Sequence, residues 1–202
     1  KMPSDTGTTV GLVLLNVVLY AFAYQLQRPV EPFLIKSLSE GADAKTVAKT
    51  YGRLQSFFQA AQTVGSPIVG ALLDKIGARY CSVIVFLASA SSYAILASST
   101  TLSHLFLSKL AATLQAGFLV AQAGVAAATA TAPPAVRAAA LGRLTTAYTI
   151  GATVGPTVGG YLGTTGDLYR GARLAVGVSL LSALLSLGLP KGTWVRKDSD
   201  KT

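Results

Sequence analysis

The chain has 202 residues, of which 51% are hydrophobic and only 12% are charged. Soluble domains carry about 25% charged residues, so this composition excludes an ordinary soluble protein and indicates a membrane protein. The formal net charge is +9. Because the basic residues fall in loops and tails between apolar stretches, they predict contact with lipid headgroups rather than with nucleic acid.

Six apolar stretches are long enough to cross the ~30 Å hydrocarbon layer of a bilayer. They predict membrane spans at residues 8–27, 52–73, 80–99, 104–127, 138–163 and 172–190, between an amino-terminal tail at 1–7 and a basic tail or linker at 191–202. The first span ends in YQLQRP rather than in a small-residue cleavage site, so it is not a secretory signal peptide. We expect an all-α, multi-pass membrane protein in the plasma membrane or an organelle inner membrane.

An internal repeat divides these spans into two groups. The segment SPIVGALLDKIGARY at 66–80 matches GPTVGGYLGTTGDLY at 155–169, with Pro67 and Gly77 aligned on Pro156 and Gly166 at an offset of 89 residues. Span two then corresponds to span five and span three to span six. Three spans per unit invert the second unit relative to the first, so a 3+3 inverted repeat is predicted.

Polar residues form stripes on three of the predicted helices. Steps of three, four or seven residues keep one face of an α-helix, and polar groups inside a membrane face the bundle interior or a wet cavity. Hydrogen bonding between helices would explain any one of these residues, but three striped helices together predict a shared substrate cavity. The predicted lining residues are Asn16, Tyr20, Tyr24, Gln27, Gln55, Gln59, Gln62, Gln115 and Gln122.

Span five has a different pattern, in which glycines recur every four residues. Gly151, Gly155, Gly159 and Gly163 make a groove that allows a neighbouring backbone to approach closely, and Pro156 within it predicts a bend. Thr146, Thr149 and Thr153 lie on another face of the same helix and are further candidates for the cavity.

Two motifs resemble the major facilitator superfamily of transporters, in their expected order. The segment GALLDKIGAR at 70–79 matches the family signature of the loop between spans two and three, and GATVGPTVGG at 151–160 matches the span-five signature of the drug–proton antiporter branch. The resemblance covers nearly the whole chain and is closest to tetracycline-antiporter-like proteins and organic-cation-transporter-like solute carriers. It implies the amino-terminal six-helix half of a twelve-helix fold.

The resemblance also implies roles for the motif residues. In the family, the loop aspartate caps a neighbouring helix end and pairs with basic residues, forming a latch that stabilises one access state. The corresponding latch residues here are Gly70, Asp74, Lys75, Gly77 and Arg79; the alternative is a charged turn that only fixes topology. The span-five motif, Gly151, Gly155, Pro156, Gly159 and Gly160, is expected to form a seam between helices that resists leak.

Proton coupling requires a titratable group in the cavity, and Glu31 is the acid outside the loops, tails and latch. Its position one turn beyond Arg28 predicts an intrahelical pair at the outer mouth as readily as a proton site. Antiporters of this branch often carry an arginine in span four. Here that position is Ala112, with Lys109 one turn earlier as a displaced cationic candidate.

The sequence contains no nucleotide-binding glycine loop, no Cys/His metal cluster and no Ser/His/Asp set, so no enzyme, metal site or cofactor is predicted. The first hypothesis is a secondary transporter, or half of one, that moves a small organic solute, cationic or amphipathic, by alternating access. The second is a structural subunit derived from a transporter half and retained in a larger membrane complex. The expected partners are membrane lipid, the solute, and a second six-helix half or that larger complex.

Overall fold

The computed structural model describes residues 4–189, with side chains from Gly7 onward, and within this range it is helical without strands. The helices are α1 (Ser4–Leu26), α2 (Glu31–Leu38), α3 (Ala44–Ala97), α4 (Leu102–Ala111), α5 (Gly117–Ala128), α6 (Pro134–Gly163) and α7 (Arg170–Ser186). A 3₁₀ turn at Ala112–Leu114 lies between α4 and α5. Helix α1 begins inside the predicted tail at 1–7, and the tail at 191–202 lies outside the described residues.

Three described segments are long and apolar enough to cross a membrane: Gly7–Leu38, Ala44–Ala97 and Leu102–Ala128. The second has 54 residues, and at 1.5 Å per residue its length of about 80 Å is more than twice the hydrocarbon thickness. Gly77 interrupts it with a φ of 76° and a ψ of 168°, so α3 contains predicted spans two and three. Helices α6 and α7 are not among these three segments. Helix α6 contains Arg137, Arg143 and many glycines and threonines, which lower its hydropathy, and α7 has only 17 residues.

Two of the three positive-φ glycines of the described chain support the predicted repeat. Gly77 and Gly166 are its aligned turn glycines, and their φ values are 76° and 84°. A left-handed backbone costs glycine little and other residues much more. In the second turn Asp167 accepts bonds from the Tyr169 amide and the Arg173 guanidinium, and these bonds lower the pKa of the Asp167 carboxyl.

The span-five glycines pack α6 against α1. A Cβ added at Gly151 would meet the Val18 carbonyl oxygen at 2.3 Å, and one at Gly159 would meet that of Leu26 at 2.0 Å. Gly155 is somewhat less tight, with Gln25 Cβ at 2.8 Å. Gly160 points elsewhere, since a Cβ there would meet nothing within 4 Å. The glycine groove is therefore occupied by the backbone of span one.

Apolar clusters fill the spaces between the remaining helices. Val17, Val125 and Leu144 join α1, α5 and α6, whereas Val69 and Val85 join the two parts of α3 to the start of α5. Helix α7 adds buried serines at 179, 182 and 186, small side chains that let it lie close to α1 and α3. The interior of the bundle is thus closed by small and branched residues, and the larger polar groups concentrate between α1, α3 and the α4–α5 segment.

Candidate functional site

A buried ion pair lies where α2, α3 and α4 meet. Lys109 of α4 donates to the Glu31 carboxylate at the start of α2, and the Glu31 side chain is only 4% exposed. Gln55 of α3 donates through Nε2 to the other carboxylate oxygen at 2.7 Å. Because burying a charge is costly unless it is paired and hydrogen-bonded, Lys109 and Gln55 are what make an ionised Glu31 tolerable here.

Arg28 forms no salt bridge with Glu31. The intrahelical pair, which the sequence predicted as readily as a proton site, is therefore absent. Helix α1 ends at Leu26 and α2 begins at Glu31, with Pro29 in the turn between them, so the two charges do not share one continuous helix. The Arg28 guanidinium instead donates to the Tyr24 hydroxyl at 2.9 Å and lies 5.1 Å from the centre of the Tyr24 ring. Among the described residues it forms no salt bridge, and its side chain is exposed.

An aromatic cavity of about 260 Å³ lies beside the ion pair. The Tyr24 ring is stacked on Tyr20 at a centroid distance of 6.3 Å and is 6.0 Å from the ring of Phe58. Tyr24 and Phe58 also line the smaller, more enclosed cavity around Arg28, Glu31 and Lys109, so the two cavities adjoin at these two rings. The residues that line the aromatic cavity are Tyr20, Tyr24, Phe58, Gln59, Gln62, Phe118 and Tyr148.

Span four is broken in the middle, which the sequence did not indicate. Between α4 and α5 the 3₁₀ turn and the non-helical residues Gln115 and Ala116 leave backbone groups without their usual helical partners. Gln62 Nε2 donates to the Ala112 carbonyl at 2.5 Å, and the Tyr20 hydroxyl donates to the Gln115 carbonyl at 3.0 Å. Such groups must be satisfied inside a membrane, so side chains from α1 and α3 hold the break together.

The break also explains why the predicted stripe on span four fails. A seven-residue spacing keeps one helix face only while the helix is continuous. Gln115 is buried and donates to the Tyr93 hydroxyl at 2.5 Å, whereas Gln122 is exposed and lies outside the lining of both cavities. Gln122 is therefore removed from the cavity-lining set.

The stripe on span one divides into three environments. Asn16 is buried and donates through Nδ2 to the Ser186 hydroxyl at 3.3 Å, so it ties α1 to α7 instead of lining the aromatic cavity. Tyr20 and Tyr24 line that cavity, and Gln27 lies beside the ion pair with its buried Nε2 unpartnered. Of the span-two glutamines, Gln55 contacts the ion pair, while Gln59 and Gln62 face the aromatic cavity.

The threonines of α6 lie on a surface of their own. Thr146, Thr149 and Thr153 line an open groove together with Ile150 and Val154, and none of them lines the aromatic cavity. Each hydroxyl of these threonines donates to the carbonyl four residues earlier. They satisfy their own polar groups and leave an apolar face outward.

The predicted latch residues surround the kink of α3. Gly77 adopts the left-handed turn, and Gly70 has open space around it. Asp74 and Lys75 are exposed and make no ion pair within the described residues. The buried Nε of Arg79 has no acceptor, and its guanidinium lies 5.8 Å from the Tyr80 ring centre. The latch role stays a prediction.

Sequence reasoning missed four aromatic residues of the site. Phe58 follows Gln55 by three residues and so lies on the same helix face as the span-two glutamines. Its position could have been found from this spacing, but only polar residues were considered. Tyr93, Phe118 and Tyr148 stand alone in apolar helices, and nothing in their spacing marked them. Within the described range no group of three His, Cys, Asp or Glu side chains is arranged to hold a metal ion.

The fold defines an all-helical, multi-pass membrane protein. Residues 13–200 match the family model of the Major Facilitator Superfamily. The chain therefore belongs to the Major Facilitator Superfamily, a family of integral membrane transporters, as its two motifs predicted.

Several curated proteins are similar to this chain. Solute carrier family 22 member 18 of Mus musculus is 33% identical over 184 residues, which cover 87% of this chain and 43% of that protein. Solute carrier family 67 member A1 of Homo sapiens is 30% identical, with coverage of 92% and 46%. The class H tetracycline resistance protein of Pasteurella multocida is 32% identical, with coverage of 77% and 38%. The chain thus spans less than half the length of each of these relatives.

A solved structure shows the same fold. The crystal structure of the human organic anion transporter MFSD10 superimposes with a TM-score of 0.77 at 22% identity, covering 94% of this chain and 49% of that one. The six predicted spans therefore form half of a major facilitator fold.

Proposed function

We propose that this chain forms one wall of a secondary transporter that moves a small organic solute by alternating access. The observation that carries this proposal is a buried carboxylate, Glu31, paired with Lys109 beside an aromatic cavity. The family supports transport in general, and the names of the relatives, which include tetracycline resistance proteins, support a small organic solute. The opposite wall would come from a second six-helix half, in the same or a separate chain.

Proton coupling at Glu31 is the second part of the proposal. When Glu31 accepts a proton, the attraction between its carboxylate and Lys109 is lost, and Gln55 faces a neutral acid. A buried pair that is stable only in its ionised form gives two discrete states. Because α2, α3 and α4 all contribute to the pair, its opening would loosen their contact at one end of the bundle.

The test is uptake into proteoliposomes by the protein from its complete reading frame, wild type against Glu31→Gln. The neutral amide mimics the protonated acid, so we expect uptake driven by a pH gradient to fall at least about tenfold. Exchange of labelled for unlabelled solute without a gradient should persist. Glu40→Gln is the matched control, because Glu40 is an exposed loop acid, and it should leave both activities unchanged.

A structural role in a larger membrane complex is the second candidate. It is favoured by Tyr20, Gln62 and Gln115, whose hydrogen bonds connect helices around the break in span four. If the purified protein shows neither gradient-driven uptake nor exchange of any solute and travels with unrelated subunits in mild detergent, this candidate replaces the transporter.

A further inference from the structure

The charges around the two cavities do not cancel. Their lining contains one acid, Glu31, and two bases, Arg28 and Lys109. Glu31 is bonded to Lys109 and to Gln55, whereas Arg28 donates to the phenol of Tyr24 and lies over its ring. The site therefore carries one excess positive charge, and Arg28 makes no salt bridge within the described chain.

The unpaired charge lies next to the aromatic cavity. The Arg28 guanidinium is 5.1 Å from the ring centre of Tyr24, and that ring is also a wall of the aromatic cavity. Arg28 is exposed, so a solute that enters along Tyr24 reaches its donors without first breaking a salt bridge. Arginine binds carboxylates and other oxyanions through paired N–H donors.

The site offers fewer favourable contacts to a cationic solute than to an anionic one. Aromatic faces attract cations, but the Tyr24 face is already taken by Arg28, and Lys109 is 5.5 Å from the centre of Phe58. The carboxylate of Glu31, which would attract a cation, is buried and engaged by two donors. A cation would meet the excess positive charge, and the part of the chain that the structure describes places no unpaired acid in the lining of either cavity.

We infer that the solute is an aromatic anion, with its ring among Tyr20, Phe118 and Tyr148 and its negative group at Arg28. This inference rests on the proposed function, and it replaces the cationic solute that the sequence suggested. The aromatic cavity of about 260 Å³ is just below the ~300–1,000 Å³ range of small-molecule pockets, which fits a small solute of one or two rings.

The experiment compares one aromatic scaffold in three charge states: 2-naphthoate, 2-naphthylmethanol and 2-naphthylmethylammonium. Dissociation constants are measured by calorimetry on the full-length protein in nanodiscs of zwitterionic lipid, so that anionic headgroups do not compete for Arg28. We expect the anion to bind at least about tenfold more tightly than the cation, as one charge-assisted contact would provide.

Arg28→Gln should remove that preference. It should raise the dissociation constant of the anion about tenfold and leave the dissociation constant of the neutral alcohol unchanged. Arg53→Gln, an exposed arginine that lines neither cavity, is the control and should leave all three constants unchanged. A cation that binds as tightly as the anion, or a preference that survives Arg28→Gln, overturns the inference. Preferential binding of the anion without any flux would instead count against the proposed transport alone.

Discussion

The hydroxyl of Tyr20 provides a hydrogen bond to a backbone carbonyl that has no helical partner. It donates to the Gln115 carbonyl at the break in span four, while the Tyr20 ring covers Gly117, where an added Cβ would be 2.8 Å from a ring carbon. Without the hydroxyl, that carbonyl loses its partner in a region with little water. We expect Tyr20→Phe to lower the free energy of unfolding by about 1 kcal/mol.

Denaturant unfolding of the protein in mixed micelles measures this change. Tyr80→Phe is the matched control, because Tyr80 is 48% exposed and its hydroxyl makes no hydrogen bond in the described chain. It should leave stability unchanged. Equal stability for Tyr20→Phe and wild type would show that the carbonyl is satisfied in another way.

Residue spacing predicted only part of the site. It placed Tyr20, Tyr24, Gln59 and Gln62 on faces that do line the aromatic cavity. Lys109 was named as a cationic candidate, but its contact with Glu31 was not predicted, because it joins residues 78 apart in sequence and depends on how α2 turns after Pro29. Long-range pairing of this kind leaves no periodic trace in a single sequence.

The close packing of α1 against α6 can be tested by a single substitution at Gly159. At Gly159 an added methyl group would lie 2.0 Å from the Leu26 carbonyl oxygen, which is backbone and has little freedom to move. Overpacking of this kind costs about 1–3 kcal/mol, so Gly159→Ala should lower the thermal midpoint by several degrees.

The next residue provides the control. A Cβ at Gly160 meets nothing within 4 Å, so Gly160→Ala should keep the midpoint of the wild type. Differential scanning fluorimetry of both variants in one detergent compares them directly. Equal midpoints for the two variants would mean that α6 does not pack on α1 through Gly159.

At the same scale, hydropathy predicted the membrane helices better than it predicted their interruptions. The helices occur at all six predicted spans because apolar length is a strong local signal. The short helix α2 and the early start of α3 at Ala44 were not predicted, since the charges between 28 and 53 resemble a loop. The break at Ala112–Ala116 was missed because that stretch contains no proline and only small or apolar residues around Gln115.

At the scale of the whole molecule, two apolar faces remain uncovered by the described chain. Val64 and Ile68 of α3 are 64% and 51% exposed, and Ile150 and Val154 of α6 are 53% and 46% exposed. Because the chain spans less than half the length of its relatives, a second half covering these faces would enclose the aromatic cavity between two walls. The cavity would then open alternately to the two sides of the membrane.

Alternating access predicts that the aromatic cavity can be reached from both sides of the membrane. Gln59, an exposed residue that lines the aromatic cavity, is replaced by cysteine in a Cys81→Ser background. Sealed proteoliposomes that contain this variant are then treated with a membrane-impermeant maleimide from either side. Cysteines at Glu40, in a loop, and at Leu184, on an outward apolar face of α7, are the controls.

We expect the cysteine at 59 to react from both sides, the one at 40 from one side only, and the one at 184 from neither. A membrane-impermeant reagent reaches a cavity position from both sides only if the cavity opens to each side in turn. Labelling of position 59 from a single side, or from neither, would contradict alternating access through this cavity.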